Sequence, residues 1–468
     1  MRKTTIIATL GPASSESGII REMIEAGVDI FRLNFSHGTH AQHNELIDKI
    51  RSASADAGKL AGILGDLSGP KIRIGGFAKG SVFLEPEAVF DIYGNSDFPG
   101  DQNKCATAYP YLTKDLSPGD IILLDDGNIK LKAISRTEEY VRFIVLDGGR
   151  LSDHKGMNFP GIHLTVESLT EKDLRDLDFI LNHDFDFAAL SFVRSANCIR
   201  TLKKHTSGSG LSLIAKIEKP EAVKDIDAII NESNGIMIAR GDLGVEMNIE
   251  QVPSVQKSII QHCAMSGTPV ITATQMLESM ITNSRPTRAE AGDVYNAVMD
   301  GTDAVMLSGE TAIGANPVEA VRTMARIAEE GEHTVESQHR IRGKKNVAFS
   351  IPETAAHTAC QSALDLKASA IVVYTMSGDS AARIAAYHPP VPVVALCTSE
   401  KVCRRLLLHY GIIARKIGDM KNTDHMFEVA EKEVTTLGTA TKGATVIIVA
   451  GIPLHCKGNT NLIKIHTL

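Results

Sequence analysis

The segment LIAKIE at residues 213–218 decides the fold that we expect for this chain. It is an apolar strand that ends in Lys216 and Glu218, and because side chains alternate across a strand, both project to the same side. A second apolar strand, IMIARGD at residues 236–242, ends in Asp242. Glu218 and Asp242 offer the hard oxygen ligands that Mg²⁺ or Mn²⁺ prefers. The two strand ends therefore predict a metal and an ammonium that stabilise one developing anion.

Strands of this kind recur eight times, and segments with the length and period of helices separate most of them. The predicted strands are Thr4–Leu10, Ile30–Asn34, Gly62–Asp66, Phe187–Phe192, Leu213–Ile217, Ile236–Ala239, Val270–Thr274 and Ala304–Leu307. The clearest predicted helices are Glu16–Ala26, Gln42–Ala57, Glu171–Asn182, Pro220–Asn231, Val252–Ser266, Thr287–Met299 and Pro317–Glu330. Eight alternating units with near-continuous apolar strands predict an α/β fold, a (β/α)8 TIM barrel.

Two further domains are predicted around this barrel. Short strands and turns fill residues 71–170, between the third strand and its helix, and predict an inserted small β-barrel lid domain. The catalytic barrel then comprises residues 1–70 and 171–336, and a polar linker follows at 337–345. Residues 345–468 alternate again and predict a C-terminal open-sheet α/β regulatory domain. Its predicted elements are Glu353–Leu366, Ala370–Thr375, Ser380–Tyr387, Val391–Leu396, Lys401–His409 and Thr445–Ala450.

Composition narrows the possible functions. A chain of 468 residues is too long to fold around a single hydrophobic core, so more than one domain is expected. Its 49 basic and 56 acidic residues argue against a general nucleic-acid-binding surface. No apolar run reaches the roughly 18 residues of a membrane span, and no signal or transit peptide is expected at the N-terminus. Seven cysteines without a CxxC pair predict free thiols in a reducing compartment. We therefore expect a cytoplasmic protein with neither a nucleic-acid nor a membrane partner.

Polar side chains follow nearly every predicted strand, at the barrel end where catalytic groups lie. They are Arg32, Asn34, Ser36, His37, Asp66, Lys71, Arg73, Ser191, Arg194, Lys216, Glu218, Arg240, Gly241, Asp242, Thr274, Gln275, Ser308 and Glu310. The chain contains neither of the common phosphate loops, GxxxxGK[ST] or GxGxxG after a strand. Cations, hydroxyls and two carboxylates suit phosphoryl transfer, which needs positioning and charge compensation rather than a protein nucleophile.

Spacing alone leaves structural roles open for these side chains. The alternatives are a surface position for Arg32, an ion pair of Glu218 with Lys216 or Lys219, a loop contact for His37, a backbone cap for Thr274 and a solvated lysine at Lys155.

Longer motifs carry a resemblance to a known family. They are IATLGPAS at 7–14, FRLNFSHG at 31–38, KGMNFPG at 155–161, AKIE at 215–218, ARGDLG at 239–244, TATQMLESM at 272–280, PTRAE at 286–290 and MLSGET at 306–311. Over essentially its whole length the chain resembles pyruvate kinases. The resemblance implies transfer of the phosphoryl group of phosphoenolpyruvate to ADP, which yields pyruvate and ATP. It also implies a homotetramer.

The resemblance implies roles for particular residues. Glu218 and Asp242 would hold Mg²⁺, Lys216 would stabilise the transferring phosphoryl group and the enolate, and Arg32 would contact the phosphate. The backbone of Gly241 and Asp242, with Thr274, would hold the substrate carboxylate near the carbon to be protonated. The nucleotide-side positions are Asn34, His37, Arg73 and Lys155.

Two other functions compete with this interpretation. One is a different Mg²⁺-dependent enolate enzyme on the same barrel, such as an aldolase or a phosphoenolpyruvate mutase. The other is an inactive paralogue that serves as a metabolite sensor or scaffold. In the C-terminal domain, Ser377, Gly378 and Ser380 lie at a predicted strand-to-helix turn and are candidates to bind a phosphorylated allosteric effector. An ordinary capped helix is the alternative there.

One segment departs from the family pattern. Members that need K⁺ usually read DTKGPE after the third strand, whereas this chain reads DLSGPK at 66–71, with Ile74 where threonine is common. The change puts a lysine in place of a glutamate beside the monovalent-cation position. The K⁺ ligands that it places in doubt are Asn34, Ser36, Asp66 and Leu67.

We predict full activity without K⁺ and a continued requirement for Mg²⁺, because the ammonium of Lys71 replaces the monovalent ion. Like charges about 4 Å apart at an effective dielectric of about 20 repel by about 4 kcal/mol, so a tethered ammonium disfavours K⁺. Activity in tetramethylammonium buffer, with and without KCl at matched ionic strength, measures this. Stimulation by about tenfold or more, equivalent to about 1.4 kcal/mol, contradicts the prediction. Lys71→Glu is expected to create partial K⁺ dependence.

Overall fold

Eight parallel strands close into a barrel in the computed structural model, which describes residues 2–336, 350–453 and 459–468. The barrel strands are Thr5–Thr9, Ile30–Asn34, Gly62–Asp66, Phe187–Leu190, Ser212–Ile217, Gly235–Ala239, Val270–Ala273 and Ala304–Leu307. They pair in chain order, and the ring closes where Thr5 of the first strand lies opposite Ala304 of the eighth. The predicted TIM barrel is confirmed.

Helices cover the outside of the barrel and bury their apolar faces against its strands. Their bounds are Ser17–Ala26, His40–Ala57, Glu171–Asn182, Ala196–His205, Pro220–Lys224, Ile226–Glu232, Arg240–Glu246, Val252–Ser266, Arg288–Asp300, Gly309–Ala312 and Pro317–Glu336, with single 3₁₀ turns at Ile249–Gln251 and Glu278–Ile281. Within the described ranges, none of the helices combines the length and the hydropathy needed to cross a bilayer.

The helix prediction needed correction at two places. The segment predicted as one helix, Pro220–Asn231, is two helices that meet at Asp225, whose carboxylate accepts a hydrogen bond from the amide of Ala196 at 2.8 Å. The sequence analysis also missed the helix Ala196–His205, although its buried residues Ala196, Ile199 and Leu202 recur three apart. Its first turn lies shortly after the fourth strand. The polar residues of that region were interpreted as functional groups at the strand end rather than as the approach to a helix.

The insert between the third and fourth barrel strands is a β domain, hereafter the lid. Its strands are Ser81–Leu84, Val89–Tyr93, Lys104–Ala106, Ile121–Leu124, Ile129–Arg136, Tyr140–Asp147, Gly149–Ser152 and Met157–Asn158, with one helical turn at Leu112–Asp115. They form a six-stranded mixed sheet and a two-stranded ribbon around one core that includes Phe90, Leu131 and Phe143. The lid reaches the barrel through its hairpin tip, where a Cβ added to Gly127 would lie 3.8 Å from Val245.

The C-terminal domain contains a five-stranded open sheet, as predicted. Its strands are Ala370–Thr375, Val393–Cys397, Ile412–Lys416, Thr445–Ala450 and Leu462–Thr467, and its helices are Ile351–Asp365, Asp379–Ala385, Glu400–Leu406 and Thr423–Thr436. Four strands are parallel, and the last pairs antiparallel at one edge. The sequence analysis missed Ile412–Lys416, Thr423–Thr436 and Leu462–Thr467. Both missed strands are edge strands that expose part of one face and therefore lack a continuous apolar run.

The three groups of elements follow one another along the chain as expected. We keep 1–70 with 171–336, 71–170 and 345–468 as proposed domain boundaries. The predicted linker at 337–345 lies outside the described residues, and so does the first residue of the third range.

Buried ion pairs join the barrel to the C-terminal domain. Arg404 of the C-terminal domain donates to Asp186 at 2.8 Å and to Asp184 at 2.7 Å. Asp186 is fully buried, and it also accepts from Arg51 at 3.0 Å and from the amide of Ile63 at 3.0 Å. Because burial removes water from Asp186 and Arg404, their charges depend on these protein partners, whereas Asp184 is half exposed.

We predict that Asp186→Ala destabilises the protein by about 3 kcal/mol, the usual cost of removing one partner from a buried ion pair. The loss of stability is measured by thermal and urea unfolding of this variant and of a control variant, each compared with the parent protein. The control is Glu25→Ala, which removes a half-exposed pair with Arg21 and is expected to change stability by about 0.5 kcal/mol or less. Equal effects of the two substitutions would contradict the prediction.

Candidate active site

Lys216 lies at the centre of the carboxyl end of the barrel, on the fifth strand. Its ammonium donates to Ser191 Oγ at 2.7 Å, lies 3.0 Å from Glu218 Oε1 and lies 3.3 Å from Asp66 Oδ1. Burial lowers the pKa of Lys216, but the carboxylates of Asp66 and Glu218 outweigh burial and raise the pKa above its ordinary value. Lys216 therefore stays protonated and provides a fixed positive charge.

Arg32, on the second strand, is held by Asp66. Its Nε donates to Asp66 Oδ2 at 2.7 Å, and its Nη1 donates to Thr9 Oγ1 at 2.9 Å. Burial raises the pKa of Asp66, but the charges of Lys216 and Arg32 more than offset this and bring it below its ordinary value. Asp66 is thus an ionised counter-ion shared by two cations. Because a guanidinium has five N–H donors, Arg32 keeps donors for a phosphate group.

Glu218 and Asp242 form a carboxylate pair at adjacent strand ends. Glu218 Oε2 accepts from the backbone amide of Phe192 at 2.6 Å. The pKa of Glu218 is raised, first by burial and then by the neighbouring charge of Asp242, although Lys216 opposes the shift. Two hard carboxylates that repel each other in a buried site suit a divalent cation. Because the described residues offer no cluster of three such ligands, water or substrate oxygens would complete the coordination.

The sixth and seventh strand ends position Gly241 and Thr274 against each other. The amide of Gly241 donates to Thr274 Oγ1 at 2.7 Å, and a Cβ on Gly241 would meet that oxygen at 3.4 Å. Thr274 adopts a φ of 64°, a left-handed conformation that a β-branched residue rarely holds. Arg240 fixes it by donating to the Thr274 carbonyl at 2.8 Å while pairing with Asp293 at 2.6 Å. The Gly241 amide is therefore already paired with a side chain of the site.

The four residues predicted to lie on the nucleotide side occupy two regions. Asn34 ends the second barrel strand and His37 follows it. Asn34 Oδ1 accepts from the amide of Ser36 at 3.0 Å, and His37 is exposed. Arg73 and Lys155 lie where the lid joins the barrel. Arg73 donates to the carbonyl of His154 at 3.0 Å, and Lys155 pairs with Asp125 of the lid at 2.6 Å.

The residues around the predicted monovalent-cation position are divided between the core and the surface. Leu67 is buried in the barrel core, and its carbonyl accepts from Ser191 Oγ at 2.7 Å. Ile74 is buried in the lid core, whereas Ser36 is exposed. Lys71 is exposed and lines the cleft between lid and barrel together with Asp242. The substitution of Lys71 for K⁺ stays a prediction.

The cleft lies between the lid and the carboxyl end of the barrel. Lid and barrel both line it, with Asp126 and Asn158 from the lid and Arg194, Lys219 and Glu246 from the barrel. Sequence reasoning gave no role to Asn158, Glu246 or the amide of Phe192. It considered Lys219 only as an ion-pair partner of Glu218, whereas Lys219 pairs with Glu246 at 2.6 Å. Lys219 and Glu246 could have been identified from the sequence, because both are polar and lie close to recognised motifs. A backbone amide leaves no signal in a sequence.

The candidate effector residues lie at the predicted turn of the C-terminal domain. Gly378, with a φ of 98°, precedes the helix Asp379–Ala385, and Ser380 Oγ lies 2.5 Å from Thr460 Oγ1. Ser377 Oγ accepts from the amide of Asp379 at 3.5 Å. Effector binding at this turn stays a prediction.

A closed (β/α)8 barrel that carries a buried lysine between carboxylates, beneath an inserted β domain, defines the class: a lidded barrel enzyme. Comparison with known families gives the particular member of that class. The family description "Pyruvate kinase, barrel domain" matches residues 1–321, and "Pyruvate kinase, alpha/beta domain" matches residues 353–466. The chain belongs to the pyruvate kinase family.

Individual pyruvate kinases are similar in sequence to this chain over its whole length. Pyruvate kinase of Sporosarcina psychrophila is 42% identical over 100% of this chain and 81% of its own length. The enzyme of Geobacillus stearothermophilus is 42% identical over 100% of this chain and 80% of its own length. That of Clostridium acetobutylicum is 40% identical over 100% of both chains.

Proposed function

We propose that the protein transfers the phosphoryl group of phosphoenolpyruvate to ADP, giving pyruvate and ATP, the last step of glycolysis. The observation that carries the proposal is the placement of the Lys216 ammonium 3.0 Å from Glu218 in a buried site that also contains Arg32. A charge fixed in this way needs no reorganisation when negative charge develops on the substrate. Membership of the pyruvate kinase family supports this particular reaction as the one that the fixed charge serves.

Magnesium, or manganese, is proposed as the cofactor, with Glu218 and Asp242 as its protein ligands. The ion would supply positive charge that neutralises phosphoryl and enolate oxygens. Monovalent K⁺ is proposed to be dispensable because Lys71 supplies a cation near the cleft.

The two buried cations are proposed to contact different parts of the anionic substrate. Arg32 is proposed to bind the phosphate, because a planar guanidinium matches phosphoryl oxygens. Lys216 is proposed to stabilise the oxygen from which the phosphoryl group departs, since its compact ammonium suits a developing enolate. Asp66 pairs with both cations and orients them.

The remaining site residues are proposed to position the two substrates. Thr274 and the backbone of Gly241 and Asp242 would orient the carboxylate of phosphoenolpyruvate. The nucleotide phosphates would be contacted by Asn34, His37, Arg73 and Lys155. The lid carries Lys155, so its orientation decides whether that ammonium reaches the nucleotide.

We further propose a cytoplasmic homotetramer that responds to a phosphorylated effector at Ser377, Gly378 and Ser380. An exposed edge strand, Leu462–Thr467, with Ile465 exposed, is available for pairing with a second copy and supports assembly.

Both alternative functions are less well supported. An aldolase or a phosphoenolpyruvate mutase would not need the nucleotide-side cations Arg73 and Lys155. An inactive paralogue would be expected to lack at least one of Arg32, Lys216, Glu218 and Asp242, and all four are present.

A coupled assay with phosphoenolpyruvate, ADP and Mg²⁺ tests the proposed reaction, and Lys216→Ala tests its chemistry. We predict that Lys216→Ala lowers kcat by roughly 10²-fold or more, about 3 kcal/mol, because it removes charge stabilisation that develops during transfer. The affinity for Mg²⁺ is expected to change much less. The proposed reaction is wrong if the parent protein forms no pyruvate. A near-normal kcat in the variant would remove Lys216 from the mechanism.

Glu218→Gln and Asp242→Asn are each predicted to raise the Mg²⁺ concentration required for activity steeply, because each removes one of two protein carboxylates. Magnesium titrations of activity at saturating substrates measure the shift. Glu45→Gln, at an exposed helical position, is the matched control and should leave the titration unchanged. If both site variants titrate like the parent protein, the metal binds elsewhere.

A further inference from the structure

One buried carboxylate connects the lid to two strand ends of the barrel. Glu246 Oε1 accepts from Asn158 Nδ2 at 2.9 Å and from Lys219 Nζ at 2.6 Å. Asn158 belongs to the lid strand Met157–Asn158, and Lys219 directly follows Glu218. Glu246 is 2% exposed and Lys219 is 8% exposed, so solvent screens this contact little.

Glu246 shares a helix with the proposed metal ligand Asp242. It is the last residue of Arg240–Glu246, and Asp242 precedes it by four positions. Residues four apart lie on one face of a helix, which explains why both line the cleft. The position of Glu246 is therefore coupled, through the helix, to the position of the turn that carries Gly241 and Asp242.

The carboxylate of Glu246 is incompletely satisfied. Among the described residues, its second oxygen, Oε2, is buried and has no hydrogen-bond partner. A buried charge with few partners loses much when one more is removed, because water does not replace it. Asn158 and Lys219 are thus held strongly to Oε1.

The same contacts continue to Glu218. The Lys219 ammonium lies 5.8 Å from the centre of the Phe192 ring, within the range of a cation–π contact. The backbone amide of Phe192 in turn donates to Glu218 Oε2 at 2.6 Å. Lid orientation therefore bears on both proposed metal ligands.

The lid hairpin also approaches this helix, since a Cβ added to Gly127 would lie 3.8 Å from Val245. Apolar contact tolerates sliding, whereas a hydrogen bond to a charged group is directional. Of these two contacts with the helix Arg240–Glu246, the hydrogen bond from Asn158 is the directional one.

We propose that Glu246 is a positioning residue, which latches the lid onto the barrel through Asn158 and Lys219 and aligns the lid with the strand ends that bear Glu218 and Asp242. The kinetic part of this inference rests on the proposed function, whereas the orientation of the lid does not.

Asn158→Ala removes the lid's donor and leaves Lys219 paired with Glu246. The expected result is an increase of about tenfold in the KM for ADP, the effect of one hydrogen bond to a charged group. The kcat is expected to stay near that of the parent protein, since Asn158 touches no proposed reacting group. Hydrogen exchange without ligands should become faster at residues 156–159 and 240–246. The control is Asn103→Ala, at an exposed lid position, which should change neither measurement.

An exchange of donor and acceptor separates a latch from a general structural role. Asn158→Asp places a carboxylate against Glu246 and is expected to raise the KM for ADP more than Asn158→Ala does. Combining Asn158→Asp with Glu246→Gln restores a donor and an acceptor with their roles reversed. The combined variant is expected to recover most of the affinity and of the exchange protection that Asn158→Asp loses.

Two results would overturn the latch. One is a KM for ADP and an exchange pattern in Asn158→Ala that match those of the parent protein. The other is a combined variant no better than Asn158→Asp in a protein whose unfolding temperature is unchanged. If the parent protein does not transfer phosphoryl groups at all, the proposed function fails, and the exchange measurements still decide whether Asn158 holds the lid.

Discussion

Mutual compensation of buried charges at the carboxyl end of the barrel is the constraint on which the site depends. Asp66 pairs with both Arg32 and Lys216, and Lys216 also faces Glu218. Each charge would cost several kcal/mol if it were buried alone. The arrangement leaves the cations permanently charged and the Glu218–Asp242 pair short of positive charge, which suits an anionic substrate and a divalent metal.

Barrel closure brings these groups together. Asp66 ends the third strand and Lys216 lies near the end of the fifth, and Ser191, which follows the fourth strand between them, bonds to Lys216 and to the carbonyl of Leu67. The short helix Arg240–Glu246 then serves two purposes, since Gly241 and Asp242 face the site and Glu246 contacts the lid. Lid orientation and site geometry are consequently properties of the same few residues.

The C-terminal domain docks at the opposite end of the barrel. Asp186 precedes the fourth strand and pairs with Arg404, and Asp303 precedes the eighth strand and lies 3.0 Å from His388. Both acidic residues therefore lie at the amino ends of strands, away from Lys216.

The sequence by itself determined the barrel, the inserted lid and the open C-terminal sheet, because buried parallel strands are continuous apolar runs and covering helices have their own period. It also placed Arg32, Lys216, Glu218 and Asp242 at strand ends, since alternation along a strand is local. Only the tertiary structure decided that Asp66 joins Arg32 to Lys216, that Thr274 holds the amide of Gly241, and that Asn158 meets Glu246. Those contacts link residues 33 to 150 positions apart, and their distances depend on barrel closure and lid docking, which no local pattern specifies.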